Sequence, residues 1–247
     1  MSNEPIKRSG FRQGVFSQSA TKKEELGTIR ILRDGRKFRY ARAGAVALSP
    51  GKLAVAAAVF SANVMNEACT AVHAIGDVIF SETLTEGAIT ATENFFAGGY
   101  LHINDGTGEG QSYLIKSSTA VAASTAITLT LADPIRVATA ATIASEFTIM
   151  QSPWQYVVES ATIATPIGIT PIAVTLGCYY WAQTSGPAVA LIADAGGNAV
   201  GRPYFQSTVT AGAIDGSNGA SYYVQVGIAV GTAGVTAEYK PIMLTID

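Results

Sequence analysis

The sequence predicts an all-β protein, β-sandwich-like or jelly-roll-like, led by an extended N-terminal arm. Three observations carry that expectation. Short Thr-, Val-, Ile- and Tyr-rich runs recur from residue 69 onward, separated by Gly, Asn, Asp or Pro clusters, which is the rhythm of strands and turns in a sandwich. Ala, Thr, Val, Ile and Gly dominate, while the Leu-Glu-Lys composition of helices is scarce. Charged residues make up 14% of the 247 and apolar ones 48%, where an average soluble domain carries about 25% charge. The length suffices for one large β domain or two modest ones with a sizeable core.

Residues 1–27 show little apolar periodicity and are rich in Ser, Lys, Glu and Gln. They read as an extended basic arm that orders on binding. Their opening, MSNEPIKRSGFRQ, has no apolar h-region, so no secretory signal is expected. No run of about 18 apolar residues predicts a membrane span. The segment TIRILRDGRKFRYARAG (28–44) alternates, with Ile29, Ile31, Phe38 and Tyr40 on one face and arginines opposite. Asp34-Gly35 between the two runs predicts a tight hairpin, since a type I′ turn needs positive φ at both central residues. In ALSPGKLAVAAAVFSANV (47–64), Ser49-Pro50 suits the start of a short helix; a buried strand is the alternative.

From there the expected strands are CTAVHAI, DVIF, AITAT, YLHIN, QSYLIKSS, AITLTL, EFTIMQ and WQYVVES. After TPIGITP (165–171) come IAVTLGCYYWAQ, AVALIA, YVQVGIAV and YKPIMLTID. The division expected is a first β-rich lobe over 28–160 and a second over 161–247, with a single jelly roll as the alternative.

YLHINDGTGEGQSYL (100–114) sets the question of chemistry. A dinucleotide fingerprint needs G-x-G-x-x-G between strand and helix, but Gly106, Gly108 and Gly110 are followed by an alternating strand pattern. No Gly-Lys-Ser/Thr completes a phosphate loop, and Asp105 and Glu109 would repel an anion. The stretch therefore reads as a hairpin tip whose glycines supply positive φ. Its two acids lack the ligand spacing of a calcium loop. Cys69 and Cys178 lie far apart with no CxxC partner, so they read as small core thiols rather than a disulfide or zinc site. His73 and His102 each sit in alternating stretches and read as strand residues. No nucleophile elbow or triad is apparent. Glu82, Glu86, Glu93 and Glu159 fall near expected turns or strand ends, where acids are ordinarily solvated. No catalytic residue, metal site or cofactor is expected.

Charge is partitioned. Residues 1–52 hold twelve Lys or Arg against four acids, and the other 195 residues hold four against fourteen, so +8 and −10 make up the net −2. A basic leader on an acidic body is a pattern of association.

The order of several motifs adds to this. GRKFRYARAGAVALSPGKLAVAA (35–57) precedes FFAGGYLHINDGTGEGQSYLIKSST (95–119), STAITLTLADPI (124–135), QSPWQYVV (151–158), YYWAQTSGPAVALI (179–192) and PIMLTID (241–247). In this series the chain resembles the head decoration, or cement, proteins of tailed bacteriophages. The resemblance implies a β-rich, oligomeric lattice clamp without enzymatic activity, carried on the virion surface after synthesis in the host cytoplasm. It implies the major capsid protein as partner, and self-assembly as a dimer or trimer. Charge then assigns capsid binding to Lys7, Arg8, Arg12, Lys22, Lys23, Arg30, Arg33, Arg36, Arg39 and Arg42. Tyr179 and Trp181, on one face of a strand, are candidate oligomer or partner contacts.

Two other readings compete. A phage fibre or tail module would use Trp181 and Tyr179 as a sugar platform. A polysaccharide-degrading enzyme would use a carboxylate pair. Nucleic-acid binding by the arm is disfavoured by Glu24-Glu25 and by the paucity of stacking aromatics.

Overall fold

The computed structural model describes residues 10–58, 60–141, 144–193, 200–216, 224–231 and 236–247. The protein is all-β and sandwich-like: its described residues form seventeen strands and one 3-10 turn, with no α-helix. No helix among them is long and apolar enough to cross a membrane.

The chain divides into two compact units, Met1–Ala57 with Pro153–Asp247, and Ala58–Ser152. The second is thus inserted within the first. This differs from the division expected near residue 160, and long-range pairing is the reason. The early strands β1 (Ile29–Ile31), β2 (Lys37–Arg42) and β3 (Leu53–Val55) find their partners at the far end of the chain. The inserted unit then contributes β4 (Glu67–Ala68), β5 (Ile79–Thr83), β6 (Ile89–Ala91), β7 (Tyr100–Gly106), β8 (Ser112–Ser118), β9 (Val121–Ser124), β10 (Ala126–Leu131) and β11 (Ser145–Met150). The first unit resumes with β12 (Pro166–Ile169), β13 (Tyr179–Leu191), β14 (Pro203–Gln206), β15 (Ile214–Asp215), β16 (Gln225–Ala229) and β17 (Tyr239–Thr245).

In the first unit the sheet runs β1-β2-β13-β17-β16-β14-β15, with β12 joining β13 and β3 beside this path. β13 absorbs two of the expected strands into one of 13 residues. Its first half pairs with β2 from Tyr179↔Arg42 to Ser185↔Lys37, and its second half with β17 from Ser185↔Thr245 to Leu191↔Tyr239. One face of β2 and β13 buries Ala41, Tyr180 and Ala182 against Leu48, Val157 and Val174. The other face buries Phe38, Tyr40 and Trp181. The run at 47–64 resolves as the buried strand β3 followed by a 3-10 turn at Ala62–Val64, capped by the Ser61 hydroxyl. WQYVVES forms only isolated bridges, Ala43↔Val157 and Val55↔Val158.

The β1–β2 hairpin forms, but with a three-residue loop. Leu32 N–H donates to the Arg36 carbonyl and Gly35 N–H to the Leu32 carbonyl; only Gly35 has positive φ, +87°. That is a type I turn closed by a left-handed glycine rather than a type I′ pair. The face of β1 is also inverted. Ile29 and Ile31 are 46% and 63% exposed, whereas Arg30 turns onto the aromatic face, because it pairs with Phe38 in the register.

The second unit holds a six-stranded antiparallel sheet, β4-β11-β7-β8-β10-β5, and the pair β6-β9. Its core gathers Phe80, Phe96, Leu101, Tyr113 and Phe147. Gly106, Gly108 and Gly110 tip the β7–β8 hairpin with φ of +74°, +89° and +78°, as the sequence predicts. A Cβ at Gly106 would fall 2.0 Å from the Ala144 carbonyl oxygen, so no side chain fits there. CTAVHAI is not a strand. It passes over the sheet as a loop, and the reason lies in Glu82.

Candidate interaction surfaces

Residues 10–27 are not a free arm. They strap the aromatic face of their own sheet. Ser19 bridges Tyr179 through two backbone hydrogen bonds, and Val15 is buried among Phe38, Tyr40 and Trp181. Gln13, itself buried, organises the seam. Its Nε2 donates to the Ser17 and Tyr179 carbonyls at 2.8 and 2.9 Å. Its Oε1 accepts the Tyr40 hydroxyl at 2.7 Å, and its carbonyl accepts Trp181 Nε1 and Arg30 Nη1. Burial, first among the causes, raises the Tyr40 hydroxyl above its ordinary range, so it stays a donor.

The expected capsid-binding residues fall into two groups, and Lys7 and Arg8 lie outside the described residues. Arg12, Lys22, Lys23 and Arg33 are exposed, Lys22 beside Glu25. The other four are spent inside the unit. Arg30 lies over the Phe11 ring at 4.8 Å. Arg36 pairs with Asp34 at 2.7 Å. Arg42 donates to the Gly177 carbonyl and sits against Tyr156 and Tyr179. Arg39 grips Asp247 with two bonds of 2.7 and 2.8 Å and donates to the Gly27 carbonyl.

The Arg39 guanidinium holds the Asp247 carboxyl below the ordinary carboxylate range, against the opposing effect of burial. A depressed folded pKa contributes stability above the unfolded value, near 3.9, and loses it as pH falls through the folded value. Asp247→Ala should therefore cost about 1 kcal/mol at neutral pH, a modest figure because the pair is partly solvated. Thermal melts should show the gap from the parent closing as pH falls below the unfolded value and through the folded one.

Trp181, expected as a partner contact, is wholly buried. Phe11 meets it edge-on at 5.2 Å, so its surface is already satisfied within the chain. Tyr179 is half-buried and stacks on Tyr40.

The acids expected to be solvated divide similarly. Glu86 and Glu93 are exposed. Glu159 instead bonds Lys52 at 3.0 Å and the Ser49 N–H. Glu82 is buried, and its carboxylate gathers the Thr70 N–H and hydroxyl, the Ala71 N–H and His73 Nε2, the last at 2.8 Å. Burial raises its pKa, but the bonds from His73 and Thr70 outweigh that and hold it below the ordinary range. His73 is therefore no strand residue; it stacks on Phe80 and is fixed by Glu82. Cys69 beside them is a buried thiol whose pKa burial pushes up to about 12, with the Glu82 charge adding to the effect. A thiol that far from ionising is a core residue, not a nucleophile.

Fixed this way, residues 70–78 present an apolar surface. His73 accepts Thr139 N–H at its carbonyl, Gly76 N–H donates to Ile135, and Ile135 N–H donates to Asp77. These bonds tie 73–77 to 135–139, with Ile75 at the tip of a turn closed by Asp77 N–H on the Ala74 carbonyl; Val72, Ile75, Val78 and Val137 are all exposed.

The first unit also has an open cleft of about 760 Å³, walled by Pro50, Pro171, Pro187, Pro241 and Tyr239 with Arg36 at its rim. Among the described residues that line it, none carries a carboxylate. Among the described residues no group of three or more His, Cys, Asp or Glu is placed to hold a metal ion. Comparison with family models, curated proteins and solved structures finds no match for this chain.

Proposed function

We propose that this chain is a structural virion protein, a decoration or cement protein that binds the outer surface of a tailed-phage capsid and stabilises the lattice without enzymatic activity. The observation that carries the reading is the outer side of the strap. There Phe16 is 59% exposed on a segment that also exposes Arg12, Lys22 and Lys23. An aromatic among cations suits a partner surface that is acidic and partly apolar. The ordered motifs shared with decoration proteins point the same way, with the major capsid protein as the partner and the virion as the location. A clamp that binds the assembled lattice and not its free subunits stabilises the shell by mass action. The burial of Trp181 removes the main support for a sugar-binding module.

Co-sedimentation tests the reading. The chain should pellet with intact phage heads, and Phe16→Ser combined with Arg12→Glu should leave most of it in the supernatant. A wild-type chain that stays in the supernatant with heads present overturns the proposal.

A further inference from the structure

The two units carry opposite charge. Ala58–Ser152 holds nine acids and two bases, a net of −7, and the rest of the chain holds fourteen bases and nine acids, a net of +5. Each unit also exposes an apolar patch edged by its own sign of charge. On the acidic unit, Ile75 is 71% and Val72 63% exposed, beside Val78 and Val137, and exposed Asp77 and Asp133 flank them. The nearby cation, Arg136, is turned onto Tyr113, Gln111 and the Ser112 carbonyl. On the basic unit, the inverted face of β1 exposes Ile29 and Ile31. Lys37 sits directly across from Ile31, and Arg33 is exposed in the turn that joins the two strands, where the neighbouring acid, Asp34, is paired with Arg36. Among the described residues β1 pairs only with β2 and ends the sheet.

We infer that the Val72–Ile75–Val137 patch of one copy docks on the Ile29–Ile31 edge of a second copy, head to tail. Opposite net charge selects this pairing over patch against like patch, where charges of one sign would meet. Apolar side chains at the centre with charges around them are the anatomy of a protein interface. The contact joins two different surfaces, so each copy can hold two neighbours, and it closes as a reciprocal dimer or a ring or extends as a chain of copies. It uses the hairpin edge, leaving the outer side of the strap for the capsid. It goes beyond the capsid reading and is tested without any shell.

The test is light scattering and sedimentation velocity on the full chain. At about 50 mM salt the wild type should self-associate, shifting towards monomer at about 500 mM as screening shortens the reach of the charges. Ile75→Asp with Val137→Asp should leave a monomer, and so should Arg33→Glu with Lys37→Glu, each with a wild-type circular dichroism spectrum. Mixing the two variants restores one intact interface per pair and should yield a 1:1 dimer that does not grow. If either variant misfolds, Ile75→Ser or Arg33→Ser replaces it in the same mixture. A wild type that is monomeric at low salt and high concentration overturns the inference, as does a folded mixture that stays monomeric.

Discussion

Glu82→Ala should be the most damaging single substitution in Ala58–Ser152, costing about 4 kcal/mol, the scale for removing the common acceptor of four hydrogen bonds at about 1 kcal/mol each. At roughly 4–8 °C per kcal/mol for a unit of this size, calorimetry should record a drop of at least about 15 °C. The cause is local. Glu82 accepts hydrogen bonds from Thr70, Ala71 and His73, and alanine takes the acceptor from all of them at once, His73 being the buried one. Glu82→Gln keeps an acceptor but no charge and should fall between the two. The pH dependence follows from the depressed folded pKa: the carboxylate's contribution is complete above the unfolded value, near 4.3, and fades as pH falls through the folded one. Glu82→Gln should lose that acid-side slope. A Glu82→Ala chain that melts within about 1 °C of the parent would show that the loop carrying Val72 and Ile75 is held by something else.

Gln13→Ala comes second, at about 3 kcal/mol, because three side-chain bonds of a buried residue are lost together. The strap should lift, exposing Trp181 to acrylamide quenching and shifting its emission to the red. Gln13→Glu separates hydrogen bonding from space filling. It preserves volume and the acceptor for Tyr40, but it cannot donate to Ser17 and Tyr179 and it brings in a buried charge, so it should cost at least as much as alanine. A Gln13→Glu chain as stable as the parent would mean that the seam is held by packing alone.

How much of this was legible in the sequence depends on the range of the interaction. The all-β class and the β7–β8 glycine turn could be read, since alternation and positive-φ glycines are local signals. The two-unit division could not, because β2 and β13 pair across the inserted unit, and the charge change after residue 52 has no counterpart near residue 152. Alternation in β1 gave the wrong face because it assumes the isoleucines go in. Arg30 goes in instead, since Phe11, Trp181 and the Gln13 carbonyl provide rings and an acceptor for its guanidinium. The arm's polar composition suggested disorder, yet Gln13 supplies enough hydrogen bonds to fasten it. The Gln13–Tyr179 and Arg39–Asp247 bonds carried no signal at all, because their partners are 166 and 208 residues apart. His73 and Glu82, nine residues apart, were within reach of a reading that asked which acid could serve a histidine in an apolar run.

The central claim is that this chain belongs to the outside of a phage head. A cryo-electron microscopy map of the native particle tests it most directly. The account predicts density for both β units on the outer capsid surface, with the strap against the shell and the Val72–Ile75 patch against the β1 edge of a neighbouring copy. A bare outer surface, or this chain found only in a tail fibre, would contradict it.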